Sequence, residues 1–168
     1  MSAKPTSRSA RSNSLARGGP LTVRSLDWTG WIPCLLLRVR PDQRGFVATN
    51  LSSLVQAWTD RSAHALAIHS GSRMVGFALV ALEPRDQIWW ICRLMIDRDA
   101  QGMGFGRAAM TQILERLKRA PGCDRVLIGH HPANAPAQRL YLSLGFRPTG
   151  RRLGIEEILE LRFAPSVL

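Results

Sequence analysis

Three glycines, Gly102, Gly104 and Gly106, occupy alternate positions in the stretch Gln101-Gly102-Met103-Gly104-Phe105-Gly106. Glycine leaves its backbone N–H groups uncovered by a side chain, and a helix start adds orphan donors and a partial positive charge. Together these make a seat for a phosphate or pyrophosphate. Two familiar phosphate motifs fit less well. Gly104-x-Gly106-x-x-Ala109 matches the dinucleotide fingerprint in letters. However, polar Asp97 to Gln101 separates it from the preceding strand, which that fingerprint follows at once. No Gly-Lys-Ser/Thr is present, so a nucleoside triphosphate loop is excluded.

The seat needs a strand leading in and a helix leading out. Ile88 to Ile96 is apolar at positions of both parities, as in a central strand. Arg107 to Arg119 carries Met110, Ile113, Leu114 and Leu117 at helical spacing, and Pro121-Gly122 stops it. Upstream, Leu21 to Leu26 alternates as a first strand. Trp28, Trp31, Ile32 and Leu35 form a helical stripe, with Pro33 forcing a late start near Ile32 or a kink. Arg38 to Gly45 reads as a loop. Asn50 is placed to cap a second helix with the stripe Leu51, Leu54, Val55 and Trp58. Both stripes are expected to face the core.

Ala65 to His69 and Met74 to Leu82 read as strands around Ser70-Gly71-Ser72. After the glycine helix come a short strand at Val126 to Ile128, and a helix opened by Asn134 and ended by Gly145. Two closing strands cover Arg147 to Leu153 and Glu157 to Phe163. The order β-α-α-β-β-β-α-β-α-β-β predicts an α/β fold with a mixed sheet rather than a regular βαβ array.

At 168 residues the chain suits one domain. The net charge of +11 is uneven: residues 1–24 hold five basic residues and no acid, and the remainder holds 18 basic and 12 acidic. Residues 1–20, rich in Ser, Arg and Gly, are expected to form a disordered basic tail ahead of a domain over 21–168. No run approaches the ~20 apolar residues of a membrane span, and the first residues contain no apolar h-region, so secretion is not expected. Cys34, Cys92 and Cys123 show no metal or disulfide pattern and read as reduced thiols of a cytoplasmic protein.

The glycine stretch resembles the acetyl-coenzyme A signature Gln-x-x-Gly-x-Gly of the GCN5-related N-acetyltransferases (GNAT). The later stretch Asn134-Ala-Pro-Ala-x-x-Leu140-Tyr141-x-x-Leu144-Gly145-Phe146 resembles that family's second motif, about 30 residues on. Trp31-x-x-Cys34-x-x-Leu37-x-Val39, Phe46-Val47-Ala48-x-Asn50-x-x-Ser53-Leu54-x-Gln56-Ala57 and Trp90-x-x-Arg93-x-Met95-Ile96-Asp97 are similar to bacterial spermine/spermidine and diamine N-acetyltransferases. The resemblance spans residues 21 to about 163.

It implies a mostly antiparallel sheet of about seven strands, splayed beside the acetyl-CoA strand and flanked by about four helices. It implies acetyl-CoA as cosubstrate, without a metal. Gln101 belongs to the cofactor signature, and the amides of Gly102, Met103, Gly104, Phe105, Gly106 and Arg107 would hold its pyrophosphate. The main chain of Leu94, Met95 and Ile96 would pair with the pantetheine arm, which Asn134 would also contact. Tyr141, the only tyrosine of the chain, falls where the family supplies the acid that protonates the departing thiolate. Some relatives place a glutamate as base at the position of Cys92; Glu83, His130, His131 or a water chain remain as candidates.

The implied acceptor is a primary amine of a small molecule, a polyamine or diamine first. Asp42 and the cluster Glu156, Glu157 and Glu160 are candidates to line its groove. Other acceptors are an amino acid, an antibiotic or a protein N-terminus, and a non-catalytic acetyl-CoA sensor is the reading from another class. Neither nucleic acid nor membrane is an expected partner, and a homodimer is left open.

Overall fold

The computed structural model describes residues 20–43, 45–46 and 50–164. The predicted basic tail falls outside these residues, apart from Pro20. Seven strands form one sheet in the order β1-β2-β3-β4-β5-β7-β6. They are β1 (Leu21–Ser25), β2 (Ala63–Ser70), β3 (Arg73–Glu83), β4 (Ile88–Ile96), β5 (Arg125–His130), β6 (Arg147–Leu153) and β7 (Glu156–Arg162). Only β4 and β5 run parallel; every other neighbouring pair is antiparallel. Four α-helices flank the sheet: α1 (Trp31–Leu36), α2 (Asn50–Thr59), α3 (Phe105–Lys118) and α4 (Ala135–Ser143). The predicted mixed, mostly antiparallel sheet and its element order hold.

Both sheet faces are covered, which explains why β4 is apolar on both parities. On one face α3 and α4 pack Met110, Ile113, Leu114, Leu117 and Tyr141 against Ile91, Val126, Ile128 and Leu159. On the other, α1 and α2 bring Cys34, Leu37 and Leu54 to Phe77, Leu79 and Met95. The register between β3 and β4 shifts between Leu79, opposite Arg93, and Val80, opposite Ile91. One extra residue is therefore accommodated at Cys92. Side chains alternate along a strand, so the extra residue lets Ile91 and Leu94, three apart, share one core. Cys92 and Met95 turn to the opposite core.

The two early helices depart from the expected core stripes. Trp28 is 82% exposed and Trp58 is 77% exposed, and Ile32, Leu36, Leu51 and Val55 also face outward. Only Cys34 of α1, with Ser53 and Leu54 of α2, is buried. The reason is length. Six- and ten-residue helices lying over one end of the sheet touch it along a narrow line. Pro33 stands in the first turn of α1, which a 3-10 turn precedes, with Asp27 accepting from the Gly30 N–H at 3.1 Å. The side-chain amide of Asn50 donates to the carbonyls of Cys34 (2.8 Å) and Leu37 (3.2 Å), tying α2 to the end of α1.

Candidate active site

The centre of the molecule is the place where β4 and β5 part. Their pairing covers only Trp89, Trp90 and Ile91 of β4, opposite Val126, Leu127 and Ile128. From Arg93 to Ile96, β4 keeps β3 on one side and, among the described residues, has no strand on the other. Beyond Ile128, β5 continues beside β7 alone. A wedge opens with bare main chain on one wall. A buried strand edge without a partner costs free energy, so such an edge is suited to a ligand that supplies amide groups.

Along the β4 wall lies a cleft of about 260 Å³. It is bounded by Leu94, Met95 and Ile96, by Gln101, Gly102, Gly104, Phe105 and Gly106, and by Asn134 and Tyr141 on the far side. Gly104 is the N-cap of α3 at φ 79°, and Gly102 has φ 80°. A side chain at either would be strained. A Cβ at either position would meet nothing within 4 Å, so no protein atom fills the space they leave. Met103 lies on the exposed outer side of this turn. Gln101 points inward: its side-chain amide donates to the Ile96 carbonyl at 3.0 Å and to Gln43 Oε1 at 2.9 Å. That leaves one carbonyl fewer on the open edge, and it fastens the loop before α2 to the glycine turn.

Buried Asp97 strengthens the same junction. Its carboxylate accepts from the N–H groups of Arg38 (3.0 Å) and Asp99 (3.1 Å) and stands 3.7 Å from the Arg73 guanidinium. The Arg98 N–H also donates to the Arg38 carbonyl at 2.7 Å. Val39 and Gln43 are thereby brought to the cleft wall. Arg107 carries its charge away from the turn, with Nη2 donating to Ser143 Oγ at 2.6 Å across to α4.

Asn134 accepts from the Ala137 N–H at 3.3 Å, capping α4. That helix holds Tyr141, 6% exposed, with its ring 6.0 Å from Phe146 and 6.5 Å from His130. Burial, and after it the charge of Glu156, pushes the phenol far above its ordinary range. Tyr141 is therefore protonated throughout the neutral range, able to donate and not to accept a proton.

Across the wedge lie two connected cavities. One, of about 320 Å³, is lined by Phe46, Cys92, Arg93, His130, His131 and Glu156, and reaches Leu94, Asn134 and Tyr141, which it shares with the cleft. A larger one, of about 800 Å³, continues from Cys92, Arg93 and Glu156 to Asp60, Glu83, Asp86, Arg85 and Arg151. Burial raises the Cys92 thiol, so it stays protonated. The Ser62 hydroxyl, donating at 2.6 Å, holds the Asp60 carboxyl below its ordinary range.

Of the four candidate acceptor carboxylates only Glu156 lines these cavities. Asp42 is exposed in a 3-10 turn (Pro41–Gln43), and Glu157 accepts from Arg152 at 2.9 Å on the face of His130. Neither lines these cavities. Glu160 pairs with Arg125 and Arg162. Phe46, Arg93 and Glu156 do line them: the first two stand in motif stretches of the sequence and Glu156 in the acidic cluster, whereas Asp60 and Arg151 carry no sequence signal. Among the described residues no group of side chains is arranged to hold a metal ion.

A strand parted from its parallel neighbour, followed by a glycine turn and a capped helix, defines an α/β fold with an open cleft along a strand edge. The chain belongs to the Acetyltransferase (GNAT) family, whose sequence pattern matches residues 28–146. It is similar to a probable spermine N(1)-acetyltransferase of Bacillus subtilis subsp. natto, 30% identical over 83 residues, which are 46% of this chain and 55% of that protein. It is also similar to a mycothiol acetyltransferase of Thermomonospora curvata, 34% identical over 107 residues, 63% of this chain and 35% of that one. The matched segments thus span about half or less of these relatives. In fold it resembles the PaiA N-acetyltransferase of Thermoplasma acidophilum, solved in complex with coenzyme A. There the TM-score is 0.69 at 14% identity, covering 86% of this chain and 99% of that one.

Proposed function

We propose that the protein moves the acetyl group of acetyl-CoA to a primary amine of a small molecule, with polyamines and diamines as the first class of acceptor. The observation that carries this reading is the wedge: the strand-free edge of β4 from Arg93 to Ile96 runs from the glycine turn to the Tyr141 phenol. The space left by Gly102 and Gly104 fits a pyrophosphate, with the amides from Gly102 to Arg107 and the start of α3 as its donors. Leu94 to Ile96 would pair with the amides of the pantetheine arm as an added strand does. Asn134, on the opposite wall, narrows the slot.

Bound there, acetyl-CoA supplies an activated acyl group. An unpaired N–H of β4 stabilises negative charge developing on the thioester oxygen. A free alkylamine has a pKa of ~10.4, so reaching its neutral form at pH 7 costs ~4–5 kcal/mol, and a proton acceptor is needed. Nitrogen bonds to the acetyl carbon as the carbon–sulfur bond breaks. The phenol of Tyr141, held protonated by its burial, donates to the departing sulfur.

The polyamine assignment draws on the name of the Bacillus relative and on the carboxylates Asp60, Glu83, Asp86 and Glu156 in the wide cavity. A second reading, a different amine that carries an acidic group, has its own support. Arg85, Arg93 and Arg151 line the same cavity, and the other relative, a mycothiol acetyltransferase, is not named for a polyamine. Free-thiol release with spermidine and putrescine, set beside amino acids and aminoglycosides, separates the two. Turnover of polyamines above all others is expected. A preference for carboxylate-bearing amines would transfer the assignment to the second reading. Cys34, Cys92 and Cys123 are free, which suits work in the reducing cytoplasm.

A further inference from the structure

One carboxylate stands apart from the others around the wedge. Glu156 opens β7, and its side chain lies over Gly129 of β5, where a Cβ would come 2.5 Å from Glu156 Oε2. Only glycine at that position lets the carboxylate lie there. Glu157 and Glu160, its neighbours along the strand, are both engaged by arginines. Among the described residues Glu156 has neither a hydrogen-bond donor nor a cation within ion-pair distance. It lines both the cavity that reaches Tyr141 and the wide cavity beyond.

The alternatives are protonated, turned aside, hydrogen-bonded or remote. Cys92 remains a thiol. His130 points Nδ1 at the His131 carbonyl (3.1 Å), and its buried Nε2, which makes no hydrogen bond, faces Glu157 Oε2 at 3.9 Å, a carboxylate that lines neither cavity. His131 Nδ1 accepts from the Ala133 N–H at 3.1 Å, and its ring packs on Phe46. Glu83 lines the wide cavity only, at the far end of β3.

We propose that Glu156 is the catalytic proton acceptor, its carboxylate reaching from β7 to the junction of the two cavities where the acceptor amine must stand. This rests on the acetyl-transfer reading above. The ammonium enters against Glu156 and gives one proton to water through the wide cavity. As the nitrogen–carbon bond forms and the carbon–sulfur bond breaks, the nitrogen sheds a second proton to Glu156 Oε. The sulfur takes its proton from Tyr141, which regains one from water as Glu156 returns its own to water, so that one proton is released in all. The charge of Glu156 acts on both Cys92 and Tyr141, after the larger effect of burial on each, as a carboxylate facing both walls would.

The test uses the full chain, thiol release with the best amine of the panel, and acetyl-CoA affinity by calorimetry. Glu156→Gln is expected to lower kcat by about 100-fold with acetyl-CoA affinity unchanged. The KM for acetyl-CoA should stay within about twofold. Cys92→Glu, added to Glu156→Gln, puts a carboxylate back from the facing strand and is expected to regain at least tenfold. A Glu156→Gln protein within threefold of the original, or a double variant that regains nothing, overturns the assignment while acetyl transfer stands. An unaltered protein that binds acetyl-CoA and acetylates no amine overturns both.

Discussion

On the cleft side of the wedge, most of the wall comes from one stretch of chain, Leu94 to Gly106, faced by the first turns of α4, with Val39 and Gln43 at its edge. On the acceptor side, the walls draw on Phe46, Asp60, Glu83, Cys92, His130 and Glu156, from six separate parts of the chain. The first side works through main chain, which a short motif can specify. The second works through side chains whose meeting depends on how the whole sheet closes. A cofactor shared by many enzymes suits the first construction, and an acceptor that differs between enzymes suits the second.

The sharpest test of that division is Tyr141→Phe, since the phenol touches both sides. It is expected to lower thiol release by about 100-fold or more while leaving acetyl-CoA affinity within twofold, measured by steady-state kinetics and calorimetry. An equal loss in affinity would place the phenol on the binding side alone. Next come the supports of the two sides. Ile113→Ala hollows the fully buried face of α3 beneath the cleft and should cost ~2–5 kcal/mol in urea unfolding. Trp58→Ala, on the outward face of α2, should stay within ~0.5 kcal/mol.

Gly104→Val probes the main-chain side directly. The left-handed φ costs a β-branched residue ~1–2 kcal/mol, and the side chain would enter the open cleft. Acetyl-CoA affinity should fall by about 30-fold, while the amine KM of residual turnover moves little. The smallest effect is a pH dependence of folding. The Tyr141 pKa is raised in the folded protein above its ordinary value near 10. The folded state therefore keeps a proton that the unfolded chain loses. Stability is full below about pH 10 and declines as pH rises beyond it, by up to ~1.4 kcal/mol per unit. Denaturation of Tyr141→Phe between pH 9 and 11 should show a correspondingly flatter decline.

The elements themselves were readable to within a few residues. β4 and β6 fall on the predicted bounds, and α3 starts two residues earlier, at Phe105, because Gly104 is its cap. The apolar stripe of α3 is core as its spacing predicts. The stripes of α1 and α2 are not, since periodicity reports an apolar face and says nothing of what covers it. Gln101 is visible as a motif letter, yet its grip on Ile96 and Gln43 is a tertiary contact. Glu157 and Glu156 are indistinguishable in the sequence. Strand alternation sends one to Arg152 and the other over Gly129.

Local chemistry therefore determined the glycine turn, the strand before it, the helix after it and the family to which the chain belongs. These depend on neighbours within a few residues, where backbone conformation and side-chain spacing act. The parting of β4 from β5, the extra residue at Cys92 and the exposure of the tryptophans were decided only by tertiary structure. So was which carboxylate reaches the meeting point of the two cavities. Each depends on which distant segment lies alongside, and that is settled by the packing of the whole sheet.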